Sequence, residues 1–524
     1  MRPWACAASF LPFLLQTVGS VQNSWLESTN FSFPGQNTNY PYATILAKST
    51  SHCYKRLVED SSCCLDRRRA RDVRHVVFRR KEATWRCRTD PKRCYDDLKG
   101  RRGADSIWIP EGATCQSPRI LYIHGGSWMY GSPTTLGYDV LASKLASLSE
   151  SVVMVPDYPL VPVGNFSTIL EAAADALAWL AWYGPWKSSD PTCGNDHPPI
   201  FIGGDSSGGG TAMALLLQLK RSPHLFKLLP DSRTGRLVAG AFFFSPWTNL
   251  VCNTPDYYHH AFAKIVDSDT FDEKNATVFT GDIIFHGHPD VNSGGFQINS
   301  VEYVGDPRLL TDPLASPMYA GEQELAGGGL PPLYFAVGAS ESILGDSVVV
   351  AQKAAAYGAE VNLDIYEGMW HVFPMYAEGC GGSEPLWPAQ RALNRTARHI
   401  LSVSQTGHPL ERPFSSSPVT HYCYDKSMGF RAQWFKTPAD DLLEQELEDL
   451  KTAARVLAAA ASTQRRPAAA WALFAMPAAP SPPRADLAAA VAVGIAVGAA
   501  GVLAFQTAAG RRHGRPIKGR PLLA

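Results

Sequence analysis

The sequence lacks an excess of either charge. Its 524 residues include 48 Lys+Arg and 48 Asp+Glu, so the formal net charge at pH 7 is +0. No overall field attracts a polyanion, and nucleic-acid binding is not expected. Charged residues make up only 18% of the chain against 45% hydrophobic ones, which is the balance of a folded globular protein rather than a disordered one.

The cysteines lack the close paired spacing of a zinc site. Cys87 and Cys94 are too far apart along the chain for a zinc knuckle, so no metal centre is predicted. No organic cofactor is predicted either. The chain has 11 cysteines, and removal of Cys6 with an N-terminal leader would leave an even number. An even number is typical of disulfide-bonded proteins in an oxidising compartment.

One long stretch, Leu487 to Ala509, lacks charge altogether. It is long enough to cross roughly 30 Å of hydrocarbon as a helix, although a low-complexity surface tail is an alternative. The basic segment 510–524 follows and is expected on the cytoplasmic side. Because this tail is basic rather than apolar, a GPI signal is disfavoured.

The N-terminus has the pattern of a secretory signal, with a buried helix as the alternative. Arg2 precedes an apolar run and small residues, which predicts a signal peptide over 1–20. We therefore expect a single-pass protein of the secretory pathway or cell surface, with its bulk in the lumen or outside. Four sequons are candidate glycosylation sites, at Asn30, Asn165, Asn275 and Asn394.

Composition divides the rest of the chain into three regions. A Cys-rich basic region, 21–106, contains "DRRRARDVRHVVFRRK", for which we predict a solvated helical face, with a processing site or an anion-binding surface as the alternative. Over 107–404, short apolar β-rich runs alternate with helical ones, which predicts an α/β domain with a mostly parallel sheet and helices on both faces. A poorly periodic insertion, about 251–310, is expected to cover a site. In 405–486 an amphipathic helix with an acidic start precedes an Ala/Pro-rich stalk.

The stretch "FIGGDSSGGGTAMALLLQL" places G-x-S-x-G between a predicted strand and a predicted helix. This is the context of a nucleophile elbow, in which the turn strains the serine backbone and presents its hydroxyl at the carboxyl end of the sheet. Ser206 is the candidate nucleophile. Upstream, "LYIHGGSWMYGS" also follows a strand, and Gly125 and Gly126 are predicted to supply oxyanion N–H groups together with Ser207.

A serine nucleophile needs a base and an acid. His371 in "YEGMWHVF" follows the last core strand and is the best candidate base, since the other histidines near the site lie in the insertion. Glu341 and Asp346 in "AVGASESILGDS" both follow a strand and are candidate acids; Glu341 lies closer to the strand end. The order Ser–acid–His is that of α/β-hydrolases.

These motifs together resemble the hormone-sensitive-lipase-like, arylacetamide-deacetylase-like branch of the α/β-hydrolase fold (α/β-hydrolase fold-3). The stretches that carry the resemblance are "HGGSWMYGSP", "DYPLVP", "GGDSSGG", "SPWTNL", "DPLASPMYA" and "YEGMWHVF". The resemblance implies Ser206 as nucleophile, His371 as base, Glu341 as acid, and Gly125, Gly126 and Ser207 as oxyanion donors. Ser127 stands where the family often has a third glycine, and "DYPLVP" replaces the commoner "DYRLAPE".

The function that follows is a serine carboxylic-ester hydrolase, acting through an acyl-enzyme on a small-molecule or lipid ester and held to a membrane by its C-terminal helix. Two alternatives share the motif set. One is a non-catalytic receptor or adhesion module on the same fold, which would usually lack the serine or the histidine. The other is an amidase or a prenylcysteine methylesterase. The sequence does not predict the oligomeric state.

Overall fold

A computed structural model describes residues 70–80, 95–97, 104–182, 184–185, 198–221, 238–259, 282, 301–326, 329–366, 369–378, 386–409, 419–422 and 438–464. The chain divides into two compact units, Met1–Ser462 and Thr463–Ala524. All the described strands lie in the first unit. Of the second unit, only Thr463 and Gln464 are described, as the end of a helix.

Ten strands form a single sheet in the described part of the chain. In chain order they are β1 Val73–Arg80, β2 Tyr95–Asp97, β3 Ala104–Pro110, β4 Arg119–Ile123, β5 Val152–Val155, β6 Ile200–Asp205, β7 Gly240–Phe244, β8 Leu333–Gly338, β9 Val361–Tyr366 and β10 Val419–Tyr422. Their order across the sheet is β10-β9-β8-β7-β6-β4-β5-β3-β1-β2. The seven strands from β10 to β5 are parallel to one another, and β3, β1 and β2 add an antiparallel edge.

The longer helices among the described residues are α1 Tyr138–Ser149, α2 Phe166–Trp182, α3 Ser206–Arg221, α4 Leu344–Ala356, α5 Trp387–Thr406 and α6 Pro438–Gln464. Short helical segments lie at Asp256–His259 and Glu322–Leu325, and 3-10 turns at Pro307–Leu309, Pro317–Tyr319 and Phe373–Tyr376. From β4 to α5 the described strands and helices alternate along the chain, as predicted for 107–404.

Two hydrophobic cores, one on each face of the sheet, explain why the central strands are apolar at nearly every position. Leu121 and Ile123 of β4 face the core that is covered by α2, α3 and α4. Ile120 and Tyr122 of the same strand face the core that is covered by α1 and α5. Because successive side chains alternate between the faces, a strand buried on both sides has no polar face. The predicted mostly parallel sheet with helices on both faces is confirmed.

The basic N-terminal region differs from the prediction. Residues 73–80 of the run predicted as a solvated helical face form β1, which pairs antiparallel with β3. Its valines explain the difference, since Val73 packs against the core on one face of the sheet and Val76 against the core on the other. β-branched residues fit this half-buried, pleated surface. The folded domain therefore begins well before residue 107.

The sheet also continues beyond residue 404. β10 adds a parallel strand to β9 beyond residue 404. The predicted amphipathic helix is present as α6, with Asp440 and Asp441 in its first turn. Leu447 of α6 is buried against Ala397 and Leu401 of α5, so α6 contributes to the domain instead of standing apart from it.

Several of the predicted features fall partly or wholly outside the described residues. The signal peptide 1–20, the span Leu487–Ala509, the tail 510–524, Asn30 and Asn275 all lie outside them. No helix in the described ranges is long and apolar enough to cross a membrane. No disulfide is seen within those ranges, where Cys115 and Cys252 carry buried thiols.

The two described sequons have opposite environments. Asn165 is exposed, and its side-chain oxygen accepts the Thr168 N–H at the start of α2, a bond that leaves the amide nitrogen to the solvent. Asn394 lies within α5 and is buried, as is Thr396 of the same sequon. A glycan has no room there in the folded chain, so the prediction for Asn394 is wrong.

Candidate active site

The centre of the site is the junction between β6 and α3, where the strand ends at Asp205 and the helix begins at Ser206 with no loop between them. Such a sharp junction forces Ser206 to a φ of 49°. This positive φ is costly for a residue with a Cβ, and it is the strained conformation predicted for this serine. As a result, the Ser206 hydroxyl stands at the carboxyl edge of the sheet.

Gly208 allows the β4 loop to approach the elbow. A Cβ at this position would lie 2.1 Å from the carbonyl oxygen of Ile123 and 2.3 Å from that of His124. Both are backbone atoms, so neither can move aside as a flexible side chain would. The absence of a side chain at Gly208 thus brings the loop after β4 against the first turn of α3.

His371 and Glu341 approach Ser206 from the ends of two further parallel strands. Nε2 of His371 lies 2.9 Å from Oγ of Ser206, and Nδ1 lies 3.2 Å from Oε2 of Glu341. Glu341 follows β8 and His371 follows β9, so all three residues lie at the carboxyl edge of the sheet. This is the hydrogen-bonded arrangement of a serine, an imidazole and a carboxylate.

Burial shifts the pKa values of both Glu341 and His371. It raises the pKa of Glu341 well above its ordinary value, and the nearby Ser245 hydroxyl and Gly338 N–H oppose this increase. Burial also lowers the pKa of His371, and the nearby charges of Asp282 and Asp205 partly offset this decrease. The imidazole is therefore held in its neutral form, the form that can accept a proton.

Asp346, the alternative acid, bonds elsewhere. Its Oδ2 accepts the backbone N–H groups of Thr248 and Asn249, each at 2.9 Å, and the Tyr257 hydroxyl at 3.1 Å. These bonds join α4 to the segment after β7. The structure thus brings Glu341 to the imidazole and places Asp346 in the scaffold beneath the site.

The loop after β4 corrects one predicted oxyanion donor. The Gly125 N–H donates to Oδ1 of Asp205 at 3.0 Å, so it points into the protein. In the described part of the chain, the N–H groups of Gly126 and Ser127 face no acceptor. The next N–H, that of Trp128, donates to the Ser207 hydroxyl at 3.2 Å. On this loop, the N–H groups that remain for an oxyanion are therefore those of Gly126 and Ser127, whereas the predicted ones were those of Gly125 and Gly126.

Asp205 is the residue that fixes this loop. It is buried, and besides the Gly125 N–H its carboxylate accepts the Tyr122 and Tyr138 hydroxyls, each at 2.9 Å. Burial raises the pKa of Asp205 to about 6, while these hydrogen bonds lower it. The sequence prediction missed its role, although its position immediately before Ser206 was a signal.

Buried aromatic side chains pack behind the loop. His124 stacks on Tyr158 with ring centroids 4.3 Å apart, and burial lowers its pKa to about 4, so this imidazole is neutral and structural. Trp128 stacks on Tyr303 at 3.7 Å, and its indole N–H donates to Thr211 at 3.0 Å. These contacts make the loop part of the core.

The described residues contain no arrangement of side chains that could form a metal centre. No group of three or more His, Cys, Asp or Glu side chains is placed there to hold a metal ion. The histidines of the insertion, His260, His286 and His288, lie outside the described residues, as does the side chain of His259.

The central part of this chain matches a known protein family. The sequence pattern of a family described as alpha/beta hydrolase fold matches residues 120–375. Residues 120–375 belong to the alpha/beta hydrolase family. This segment contains Ser206, His371 and Glu341, and it begins in β4 and ends just beyond the histidine. The antiparallel edge and α6 lie outside it.

Three relatives illustrate the similarity. An esterase from Acinetobacter venetianus is 28% identical over 257 residues, which is 49% of this chain and 68% of the relative. An acetyl-hydrolase from Streptomyces hygroscopicus is 28% identical over 296 residues, covering 56% of this chain and 77% of the relative. The arylacetamide deacetylase of Oryctolagus cuniculus is 35% identical over 118 residues, covering 22% of this chain and 29% of the relative. The resemblance to the hormone-sensitive-lipase-like, arylacetamide-deacetylase-like branch is confirmed.

Proposed function

We propose that this alpha/beta hydrolase is a carboxylic-ester hydrolase that uses Ser206 as nucleophile, His371 as base and Glu341 as acid. The observation that carries the proposal is the continuous hydrogen-bonded path from Ser206 Oγ to His371 Nε2 and from His371 Nδ1 to Glu341 Oε2, at 2.9 and 3.2 Å. The related esterase, acetyl-hydrolase and deacetylase support a reaction on carboxylic esters.

The proposed reaction begins when Ser206 Oγ attacks the ester carbonyl carbon and its proton passes to Nε2 of His371. Nδ1–H donates to Glu341 throughout, which holds the imidazole in the required tautomer and stabilises the imidazolium. The tetrahedral intermediate then expels the alcohol, which takes its proton from Nε2. A water molecule, deprotonated by the same nitrogen, hydrolyses the acyl-enzyme and restores Ser206.

The oxyanion of the intermediate needs N–H donors that are fixed before the reaction. We assign this role to the N–H groups of Gly126 and Ser127, since that of Gly125 is taken by Asp205. Ser207 supplies a third N–H from the first turn of α3, where backbone donors lack intrahelical partners and the helix dipole favours negative charge. Removing one such donor typically costs about 3–4 kcal/mol of transition-state stabilisation.

The proposed substrates are small carboxylic esters, with acetyl esters as the first class to test. An acyl-chain series of p-nitrophenyl esters, from acetate upward, measures the preferred length through kcat/KM. An amide and a prenylcysteine methyl ester, assayed beside p-nitrophenyl acetate, separate the amidase and methylesterase alternatives from a general esterase.

A fluorophosphonate probe tests the nucleophile, because it labels only an activated serine. We expect the protein to be labelled and Ser206→Ala to lose both the labelling and at least ~10³-fold of kcat/KM. Ser207→Ala is the matched control. It removes the neighbouring hydroxyl, which accepts the Trp128 N–H, but keeps the backbone donor, so we expect labelling to continue. Absence of labelling in the unaltered protein would favour the receptor alternative.

We further propose that the domain lies in the lumen or outside the cell, held by the C-terminal span 487–509. The uncharged span, the basic tail and the N-terminal signal pattern support this. Protease protection of intact microsomes, with and without detergent, tests it: digestion of the domain without detergent would contradict the proposal. Loss of a glycan from Asn165→Gln would show that the exposed sequon is used.

A further inference from the structure

Asp282 is a carboxylate that the proposed reaction does not use, yet it contacts the site. It belongs to the insertion and is fully buried. One of its oxygens, Oδ1, accepts the backbone N–H of His371 at 3.0 Å, and the other, Oδ2, accepts the backbone N–H of Ser342 at 2.7 Å. A single side chain therefore joins two loops with both of its oxygens.

These two loops carry the proposed acid and the proposed base. Ser342 immediately follows Glu341, and His371 is the base itself. The loops are also joined nearer to their strands, where the Ser340 N–H donates to the Met369 carbonyl at 3.0 Å. Asp282 adds the connection at the reacting residues, where a displacement would directly change the distance from Glu341 to the imidazole.

The chemistry of the site argues against a simple packing role for this residue. A buried carboxylate is costly to keep, and an apolar side chain would fill the same space without that cost. Burial raises the pKa of Asp282 to about 6, and the neighbouring His371 and the two N–H donors lower it. The charged or titratable groups facing the imidazole are Glu341, Asp282 and Asp205.

We infer that Asp282 is a positioning residue for the proposed hydrolase, fastening the acid loop to the base loop and adding negative charge beside the imidazole. The inference rests on the proposed function. Its carboxylate fixes the Glu341–His371 contact through the Ser342 and His371 N–H groups. Its charge favours the imidazolium that forms during the reaction, and it opposes the lowering of the His371 pKa by burial.

The test is Asp282→Asn in the full chain, assayed with p-nitrophenyl acetate across pH. The amide keeps the shape of the side chain but loses the charge and one acceptor. We expect kcat, expressed per site that reacts with the fluorophosphonate probe, to fall by ~10- to 100-fold. We also expect the acidic limb of kcat/KM to move to lower pH by roughly 0.5–1 unit, because removing a nearby anion lowers the pKa of His371.

Asp346→Asn is the matched control. It neutralises another fully buried carboxylate that also holds backbone N–H groups but does not touch His371. We expect it to lower the thermal unfolding midpoint without moving the acidic limb. If Asp282→Asn does the same, with kcat per reactive site unchanged, Asp282 is only structural and the inference is overturned. Should Asp282→Asn fail to fold, Asp282→Ser is measured with the same expectation.

A double-mutant cycle with Glu341→Gln separates positioning from a general loss of stability. If Asp282 acts through the Glu341–His371 contact, its replacement costs much less in the Glu341→Gln background than alone. Equal costs in both backgrounds would contradict the inference. A failure of the proposed function gives a different result, because the unaltered protein would then neither label nor hydrolyse the ester.

Discussion

The elbow at Ser206 and the acid loop after β8 lie at the same edge of one sheet, but their geometries have different origins. At the elbow, strand, nucleophile and helix are consecutive in the sequence, and Gly208 gives the β4 loop its close approach. After β8, Glu341 lies in the acid loop and Asp346 lies five positions later in the first turn of α4; both are fully buried, and only Glu341 meets the imidazole. Local chain geometry therefore fixes the conformation of the elbow, whereas contacts with distant segments decide which carboxylate meets the imidazole.

The largest expected effect comes from replacing each of the two carboxylates, Glu341 and Asp346, by its amide. We expect Glu341→Gln to lower kcat by about 10²- to 10⁴-fold with little change in stability, since the amide no longer favours the required tautomer and charge of His371. Asp346→Asn should instead lower the free energy of unfolding by about 1–3 kcal/mol, because an amide oxygen in the place of Oδ2 is a weaker acceptor than a carboxylate for the two N–H groups and the hydroxyl. Steady-state kinetics and urea denaturation of both variants measure the contrast. Reversed roles would assign the acid to Asp346.

A smaller effect is expected at the elbow. Gly208→Ala places a Cβ within 2.1 Å of a backbone oxygen, so we expect it to displace the β4 loop and cost about 1–3 kcal/mol of stability. The displaced oxyanion donors should also lower kcat. Gly112→Ala is the control: Gly112 has a φ of +75° with nothing within 4 Å, so the variant strains the backbone away from the site and should leave kcat unchanged. Equal kcat values in the two variants would show that the elbow tolerates a side chain.

The smallest effect concerns pH. The proposed base, His371, must be neutral to accept a proton from Ser206, and burial lowers the pKa of His371 below its ordinary value. Activity should therefore persist as pH falls to 6.5 and decline only below it, as the imidazole becomes protonated. The rate of fluorophosphonate labelling against pH measures this limb, with circular dichroism confirming that the fold persists. A limb centred above pH 6.5 would contradict the expected direction.

The sequence predicted the central sheet well because its signals are local. Buried strands such as β6 are short apolar runs bounded by turns, and helices such as α3 follow them at once. The elbow was predictable for the same reason, and the positive φ of Ser206 confirms its strain. The antiparallel edge was not predicted, because the many arginines of this run suggested a solvated helix. Only the pairing with β3 turns Val73 and Val76 toward the two cores.

The sequence by itself determined the α/β alternation, the order of serine, acid and histidine, and the strained turn, since each depends on residues close together in the chain. Tertiary structure alone decided which carboxylate meets the imidazole, that the Gly125 N–H turns toward Asp205, and that Asp282 joins the two loops. Each of these is a hydrogen bond between segments far apart in sequence. The partner of a buried polar group depends on which groups the fold brings within about 3 Å, and no local pattern encodes that distance.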